Sequence, residues 1–336
     1  EIGQRVVTWQ DPARGDRSIP SDVYYPADAA GANVAAAAAP PGGFPVVAFG
    51  HGFAMGSNVY GVLVQALVPA GFIVVLPATE TGLLPSHENF GEDLAFLVNR
   101  LKAEGADPAS FLFGRVGAKG AVGGHSMGGG ASFLGAAGDP GVDAVFAFAP
   151  ANTNPSAVTA AASVAVPTIV FAAPGDCVAP PAQHQIPIYE ASGSTCKAYV
   201  GITGASHCQF NDYNLTCDLG EFCSAPIPRG TQNALTTGLL RPWLEAVLKG
   251  DYPAWGEFLA LAAGEPAYVE TLACATPPAL PACANGRDDD GDGLVDLADS
   301  GCAGTEDLDE RSPTLPCDDG VELALALLAA ARRRRR

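Results

Sequence analysis

Apolar and polar side chains alternate at the start of the chain, in RVVTW (5–9) and SDVYYP (21–26), around a polar turn, DPARGDRS (11–18). Alternation with period two predicts a pair of strands with one face buried and one in water. After a low-complexity stretch, AGANVAAAAAPPGG (30–43), the pattern changes. Continuous apolar runs now appear: PVVAFG (45–50), FIVVLP (72–77), GAVGGH (120–125), DAVFAFA (143–149), PTIVFAA (167–173) and KAYVGI (197–202). Between them lie stretches of helical period, including NVYGVLVQALVPA (58–70), GEDLAFLVNRLKAE (91–104) and SMGGGASFLGAA (126–137). Strands apolar on both faces, separated by helices, predict an α/β architecture: a mainly parallel sheet covered by helices on both sides. TQNALTTGLLRPWLEAVLKG (231–250) reads as a closing helix in which Pro242 introduces a kink.

Near residue 273 the composition shifts to Pro, Cys and Asp, which predicts three parts. Residues 1–272 form the α/β body, 273–311 a small cysteine-flanked, aspartate-rich segment, and 312–336 a tail. The chain has 336 residues, is 48% hydrophobic and only 16% charged, which suits a large buried core rather than disorder. The formal net charge of −18 excludes nucleic-acid binding through the body. All nine cysteines fall from Cys177 onward, which predicts an oxidising compartment and disulfides, with an odd thiol left over. No apolar run has the length of an ordinary membrane-spanning helix, and Glu1 opens directly into strand-like sequence, so any leader is expected to have been trimmed.

The most specific chemistry sits at a break between strand and helix. Gly124-His125-Ser126-Met127-Gly128 follows the apolar run 120–125 and opens a small-residue helix, the placement that gives G-x-S-x-G its meaning as a nucleophile elbow. A serine nucleophile needs a base, and the base needs an orienting acid. Asp176 follows the apolar run 167–173 and His207 follows 197–202, so acid and base come in that order at the ends of the next two strands. Donors for a tetrahedral oxyanion are expected from the amides of Met127, directly after the nucleophile, and Phe53, in the turn His51-Gly52-Phe53. His51 lies in the FGHGF turn, His125 lines the elbow, and His87 and His184 have no partnering pattern; all four read as structural or peripheral.

Taken together, FGHGF (49–53), GGHSMGGG (123–130), the Asp176 loop, QIPIYEA (185–191), Lys197-x-Tyr199-x-x-Ile202 and GASH (204–207) resemble the cutinase-like polyester hydrolases. That family includes poly(ethylene terephthalate) hydrolases and is related to dienelactone-hydrolase-like and platelet-activating-factor-acetylhydrolase-like lipases. The resemblance spans roughly 3–250 and implies the α/β-hydrolase fold. It also implies a serine carboxylic-ester hydrolase with Ser126 as nucleophile, His207 as base, Asp176 as orienter, and no cofactor for catalysis. Two departures limit the substrate. The family's Ala-Pro-Trp clamp is replaced by Ala149-Pro150-Ala151-Asn152, and a position often filled by Tyr is Phe53. A smaller or aliphatic ester is therefore expected ahead of a polyester. Two alternatives stay open on the sequence: a peptidase or acyltransferase on the same fold, and a catalytically silent, calcium-stiffened surface or adhesion protein.

If Asp176 and His207 meet, a Cys177–Cys208 bridge would join their loops. Cys196 is a rival partner for Cys177, and Cys217 and Cys223 fall in one short loop where they could close on each other. A cysteine metal site lacks a C-x-x-C pair. In CANGRDDDGDGLVDLADSGC (283–302), Asp288, Asp290, Asp292, Asp296 and Asp299, with the Leu294 carbonyl, have calcium-loop spacing. The loop resembles thrombospondin type 3 or dockerin repeats, is expected to be stapled by Cys283–Cys302, and implies a structural calcium ion. The tail, Cys317 followed by GVELALALLAAARRRRR, resembles sorting signals of myxobacterial surface proteins. A secreted or cell-surface bacterial monomer is expected, attached to a membrane or surface, if at all, through that tail.

Overall fold

A computed structural model describes residues 1–223 and 225–274 and, beyond them, Cys283, Leu294, Ala298, Gly301 and Cys302. Among the described residues ten strands form one sheet, in the order β10-β9-β8-β7-β6-β4-β5-β2-β1-β3. Its centre is parallel: β5 (Ile73–Pro77), β4 (Phe44–Gly50), β6 (Val116–His125), β7 (Ala144–Phe148), β8 (Thr168–Ala172) and β9 (Cys196–Ile202). These strands are buried almost throughout, as the unbroken apolar runs require. β1 (Ile2–Asp11) and β2 (Arg17–Pro26) form the antiparallel hairpin read from the alternating start of the chain, with the short β3 (Gly31–Ala32) outside β1. β2 joins β5 antiparallel, and its burial alternates along its length.

Eight helices among the described residues accompany the sheet: α1 (Gly61–Leu67), α2 (His87–Ala106), α3 (Met127–Ala136), α4 (Ala157–Ala161), α5 (Gln185–Ala191), α6 (Leu215–Gly220), α7 (Arg229–Leu244) and α8 (Tyr252–Gly264). They build two cores. One gathers Leu63, Leu67, Leu239, Trp243 and Phe258 with Phe49, Phe146 and Phe171; the other gathers Leu94, Leu97, Leu101, Phe133 and Ile188 with Val46, Val122 and Val145. Alternate residues of β4, β6, β7 and β8 thus feed opposite faces, which makes the fold the α/β-hydrolase arrangement expected from the sequence. Asp93 of α2 is fully buried and takes both Arg17 (Nε and Nη2, 2.8 Å each) and Thr79 Oγ1 (2.7 Å), pinning the β1–β2 hairpin to the helical layer.

The structure adds two features. The closing helix ends at Leu244 and continues as a π-helical turn, Glu245–Lys249. Pro242 lacks an N–H and so interrupts the regular bonding of the last turn. β10 (Tyr268–Cys274) pairs antiparallel with β9 at the sheet edge, Cys274 facing Cys196. The compact unit therefore comprises Glu1–Pro278, and the composition shift near 273 falls within its last strand. The second unit is Ala279–Arg336, in which Cys283 and Cys302 form the expected disulfide. No helix among the described residues is long and apolar enough to cross a membrane.

Candidate active site

Ser126 lies between the last residue of β6 and the first of α3, with φ 56° and ψ −117°. That backbone conformation is costly for a residue with a Cβ and persists only when its surroundings impose it. They do so through main-chain hydrogen bonds. The Ser126 amide donates to the Phe148 carbonyl (2.9 Å), and its own carbonyl accepts the amides of Gly130 (3.1 Å) and Ala151 (2.9 Å). The flanking glycines are required by close approach. A Cβ on Gly124 would lie 2.2 Å from the Gly128 carbonyl carbon, and one on Gly128 would lie 2.2 Å from the Gly50 carbonyl oxygen. The end of β6, the start of α3 and the end of β4 meet here backbone to backbone.

Asp176 and His207 come together after β8 and β9 as their order in the sequence predicts. His207 Nδ1 lies 2.6 Å from Asp176 Oδ2, and both side chains are buried. The carboxylate accepts three further hydrogen bonds, from the amides of Val178 and Ala179 on Oδ1 and from Gln185 Nε2 on Oδ2, each 2.8 Å. Because a carboxylate only accepts, Nδ1 carries a proton, the tautomer that in a neutral ring leaves Nε2 as the acceptor. Gln185, which opens α5, is fully buried and also bonds the Ala173 amide and the Ala179 carbonyl, so it fixes the shape of the acid loop. The sequence places it only at the head of QIPIYEA and does not show its role, which depends on a turn that brings residue 185 back onto 173–179.

The cysteine pairing differs from the expectation in an instructive way. Neither Cys177–Cys208 nor Cys217–Cys223 forms, and Cys196 is not the partner of Cys177. The bridges are Cys177–Cys223, Cys208–Cys217 and Cys196–Cys274. Cys217 lies within α6 and Cys223 beyond its end, so each reaches a different loop. Cys196 is claimed by Cys274, its register partner across β9 and β10. Residues 217–223 thereby form a strap tied to the neighbour of the acid and to the neighbour of the base. The strap also carries Glu221, whose carboxylate accepts the amides of His207 (2.6 Å) and Cys208 (2.9 Å). Arg229 donates to the carbonyls of Cys208 and Asn211 and pairs with Asp218 of the strap.

The two amides expected as oxyanion donors lie on either side of the contact between the elbow and the loop after β4. Met127 supplies the first amide of α3, which has no acceptor within its helix. Phe53 stands in the loop after β4, its ring half exposed, and that loop is tied to the elbow by the Gly128 amide donating to the His51 carbonyl (3.1 Å). Among the described residues neither the Phe53 nor the Met127 amide is donated to a protein acceptor. Of the remaining histidines, His125 lines the elbow as its place in the motif requires, and His87 and His184 are closer to the site than their sequence contexts suggest. His125 Nε2 is 3.0 Å from the His207 carbonyl oxygen. His184 and His87 accept, through Nδ1, the amides of Asn152 (3.0 Å) and Asn154 (3.1 Å). They hold the loop in which Ala151 stands beside the elbow. Burial lowers the pKa values of His51 and His184, and lowers that of His125 well below the ordinary imidazole range, assisted by neighbouring His207.

The calcium-loop aspartates Asp288, Asp290, Asp292, Asp296 and Asp299 lie outside the described residues, and Leu294, which is described, is exposed. Among the described residues no group of three or more His, Cys, Asp or Glu side chains is placed to hold a metal ion.

A curated relative, the bis(hydroxyethyl) terephthalate hydrolase of Streptomyces coelicolor (strain ATCC BAA-471 / A3(2) / M145), is 30% identical over 195 residues, 58% of this chain. The chain spans 57% of that relative's length. The family model described as "PETase: PET hydrolase-like" matches residues 19–229, a stretch that contains the elbow, the acid loop and the base loop. With a match over more than half of its length, the chain belongs to the PET hydrolase-like family.

Proposed function

We propose that the protein is a secreted serine hydrolase of carboxylic esters, acting on small esters through an acyl-enzyme on Ser126. The observation that carries this reading is the buried Asp176–His207 pair, whose imidazole lies 4.8 Å, ring centre to ring centre, from His125, the residue before the backbone-clamped Ser126, in a family of ester hydrolases. Ser126 Oγ attacks the ester carbonyl carbon while His207 Nε2 takes its proton, and Asp176 holds the ring by the Nδ1 proton. The tetrahedral oxyanion faces the amides of Met127 and Phe53, a type of contact whose loss typically costs about 3–4 kcal/mol. His207 then returns the proton to the leaving alcohol, and water hydrolyses the acyl-enzyme by the same route.

The relative named for hydrolysis of bis(hydroxyethyl) terephthalate, a small diester, supports a small ester as substrate. A preference for such an ester over a polymer follows from Ala151, which puts a methyl group in place of an aromatic ring in a loop bonded to Ser126. The test is turnover of a short-chain nitrophenyl ester and of bis(hydroxyethyl) terephthalate, compared with polyester film. Turnover of the small esters that Ser126→Ala abolishes supports the reading. Turnover that survives Ser126→Ala contradicts it. We further propose that the segment 283–302 binds a structural calcium ion. Its test is a rise in melting temperature with calcium that a chelator reverses.

A further inference from the structure

One buried chain of hydrogen bonds runs from the loop carrying Phe53 to the loop carrying His207. The Gly52 amide donates to Tyr60 Oη (2.8 Å), Tyr60 Oη lies 3.0 Å from His125 Nδ1, and His125 Nε2 lies 3.0 Å from the His207 carbonyl oxygen. Both side chains in the chain are almost wholly buried. The direction of every bond follows from the end groups. A carbonyl oxygen only accepts, so His125 must carry a proton on Nε2. Burial keeps this imidazole neutral, so Nδ1 is bare and accepts from Tyr60. Tyr60 Oη is then left to accept from Gly52, whose amide can only donate. Met55 Sδ, 3.6 Å from the same hydroxyl, competes poorly for its single proton, because a thioether is a weak acceptor at longer range. Four groups are satisfied in one sense only.

We propose that Tyr60 and His125 are positioning residues that couple the oxyanion loop to the catalytic base. Neither touches the substrate. Gly52 immediately precedes Phe53, so the hydroxyl of Tyr60 sets the peptide plane next to the one that offers its amide to the oxyanion. At the other end, His125 holds the carbonyl of the residue whose ring takes the proton. His207 is thus gripped at three points: its carbonyl by His125, its amide by Glu221 and its Nδ1 by Asp176. In a buried chain each bond polarises the next, so removing one link loosens both loops.

This inference rests on the proposed roles of Ser126, His207 and the Phe53 amide, and the experiment separates the two. The wild-type enzyme, Tyr60→Phe, His125→Phe and His125→Gln are compared on one short-chain ester, with kcat and KM resolved and folding followed by melting temperature. Tyr60→Phe keeps the ring and deletes only the hydroxyl. His125→Gln keeps an amide donor of about the right reach for the His207 carbonyl, and His125→Phe removes it. The expected result is a roughly tenfold fall in kcat for Tyr60→Phe with KM changed less than about twofold, a larger fall for His125→Phe, and partial recovery in His125→Gln. A merely structural role would lower the melting temperature and leave kcat of the folded fraction intact. That outcome, or an effect confined to KM, overturns the proposal. If His125→Phe does not fold, the kcat of Tyr60→Phe decides. A wild-type protein without esterase turnover would instead overturn the functional reading on which the proposal stands.

Discussion

The nucleophile side and the acid–base side of the site are held by different means. Around Ser126 the restraint is main chain on main chain. Three backbone hydrogen bonds and two glycines, in contact distance of neighbouring carbonyls, force the serine into its uncommon conformation without any crosslink. Around Asp176 and His207 the restraint comes from side chains and sulfur. A strap is joined by Cys177–Cys223 and Cys208–Cys217, with Glu221 and Arg229 filling in the hydrogen bonds. Regular strands deliver the elbow already ordered, whereas the acid and base lie on loops that must be fixed by other groups.

The comparison can be broken most severely at the acid. Asp176→Asn keeps an acceptor for the Val178 and Ala179 amides but turns an amide donor toward Gln185 Nε2 and His207 Nδ1 and favours the wrong ring tautomer, so kcat should fall about 10⁴-fold while the protein still folds. Steady-state kinetics with a melting curve checks this. Replacing both Cys177 and Cys223 by Ser releases one end of the strap. With a sequence separation of 46 between the cysteines, loop-closure entropy predicts a loss of about 4 kcal/mol in urea denaturation. On the other side, Gly128→Ala drives a methyl group into the Gly50 carbonyl. It should destabilise by about 3 kcal/mol and remove activity, although no chemical group of the site is altered.

Smaller effects sharpen the picture. Glu221→Gln leaves one carbonyl oxygen where two amides need acceptors. It should lower kcat by roughly tenfold at nearly constant KM, since only the setting of His207 changes. The last effect is common to both regions. Burial keeps His125 and His51 from accepting protons in the folded protein, while the unfolded chain binds them below about pH 6.5. The stability they contribute is present above that pH and is lost on acidification. The loss should approach about 1.4 kcal/mol per pH unit for each histidine, until its folded-state pKa is reached. Urea midpoints from pH 7.5 to pH 5 test this, and His125→Gln should remove part of the slope.

The same contrast decides what was readable in the chain. Period-two and unbroken apolar runs placed the hairpin and the parallel centre, and the glycine spacing around Ser126 marked the elbow, because close backbone approach writes itself into adjacent residues. Asp176 and His207 were legible by their order after successive strands. Their supports were not. Gln185 acts through a turn, Glu221 through a strap held by two disulfides, and Tyr60 reaches His125 across 65 positions. Cysteine pairing around the site differs from the sequence expectation for the same reason, whereas Cys283–Cys302 forms as expected. Adjacency in the sequence suggested Cys177–Cys208, whereas the intervening strap takes one cysteine to each loop. β10 was missed as well, and with it the partner of Cys196.

The account turns on Ser126 being an activated nucleophile, and a fluorophosphonate probe tests that most directly. After incubation with the folded protein, intact mass and peptide mapping should show a single adduct on Ser126. The adduct should be absent from Ser126→Ala and form far more slowly in Asp176→Asn. A folded wild-type protein that hydrolyses the nitrophenyl ester yet carries no adduct on Ser126, or carries it on another residue, would contradict the account.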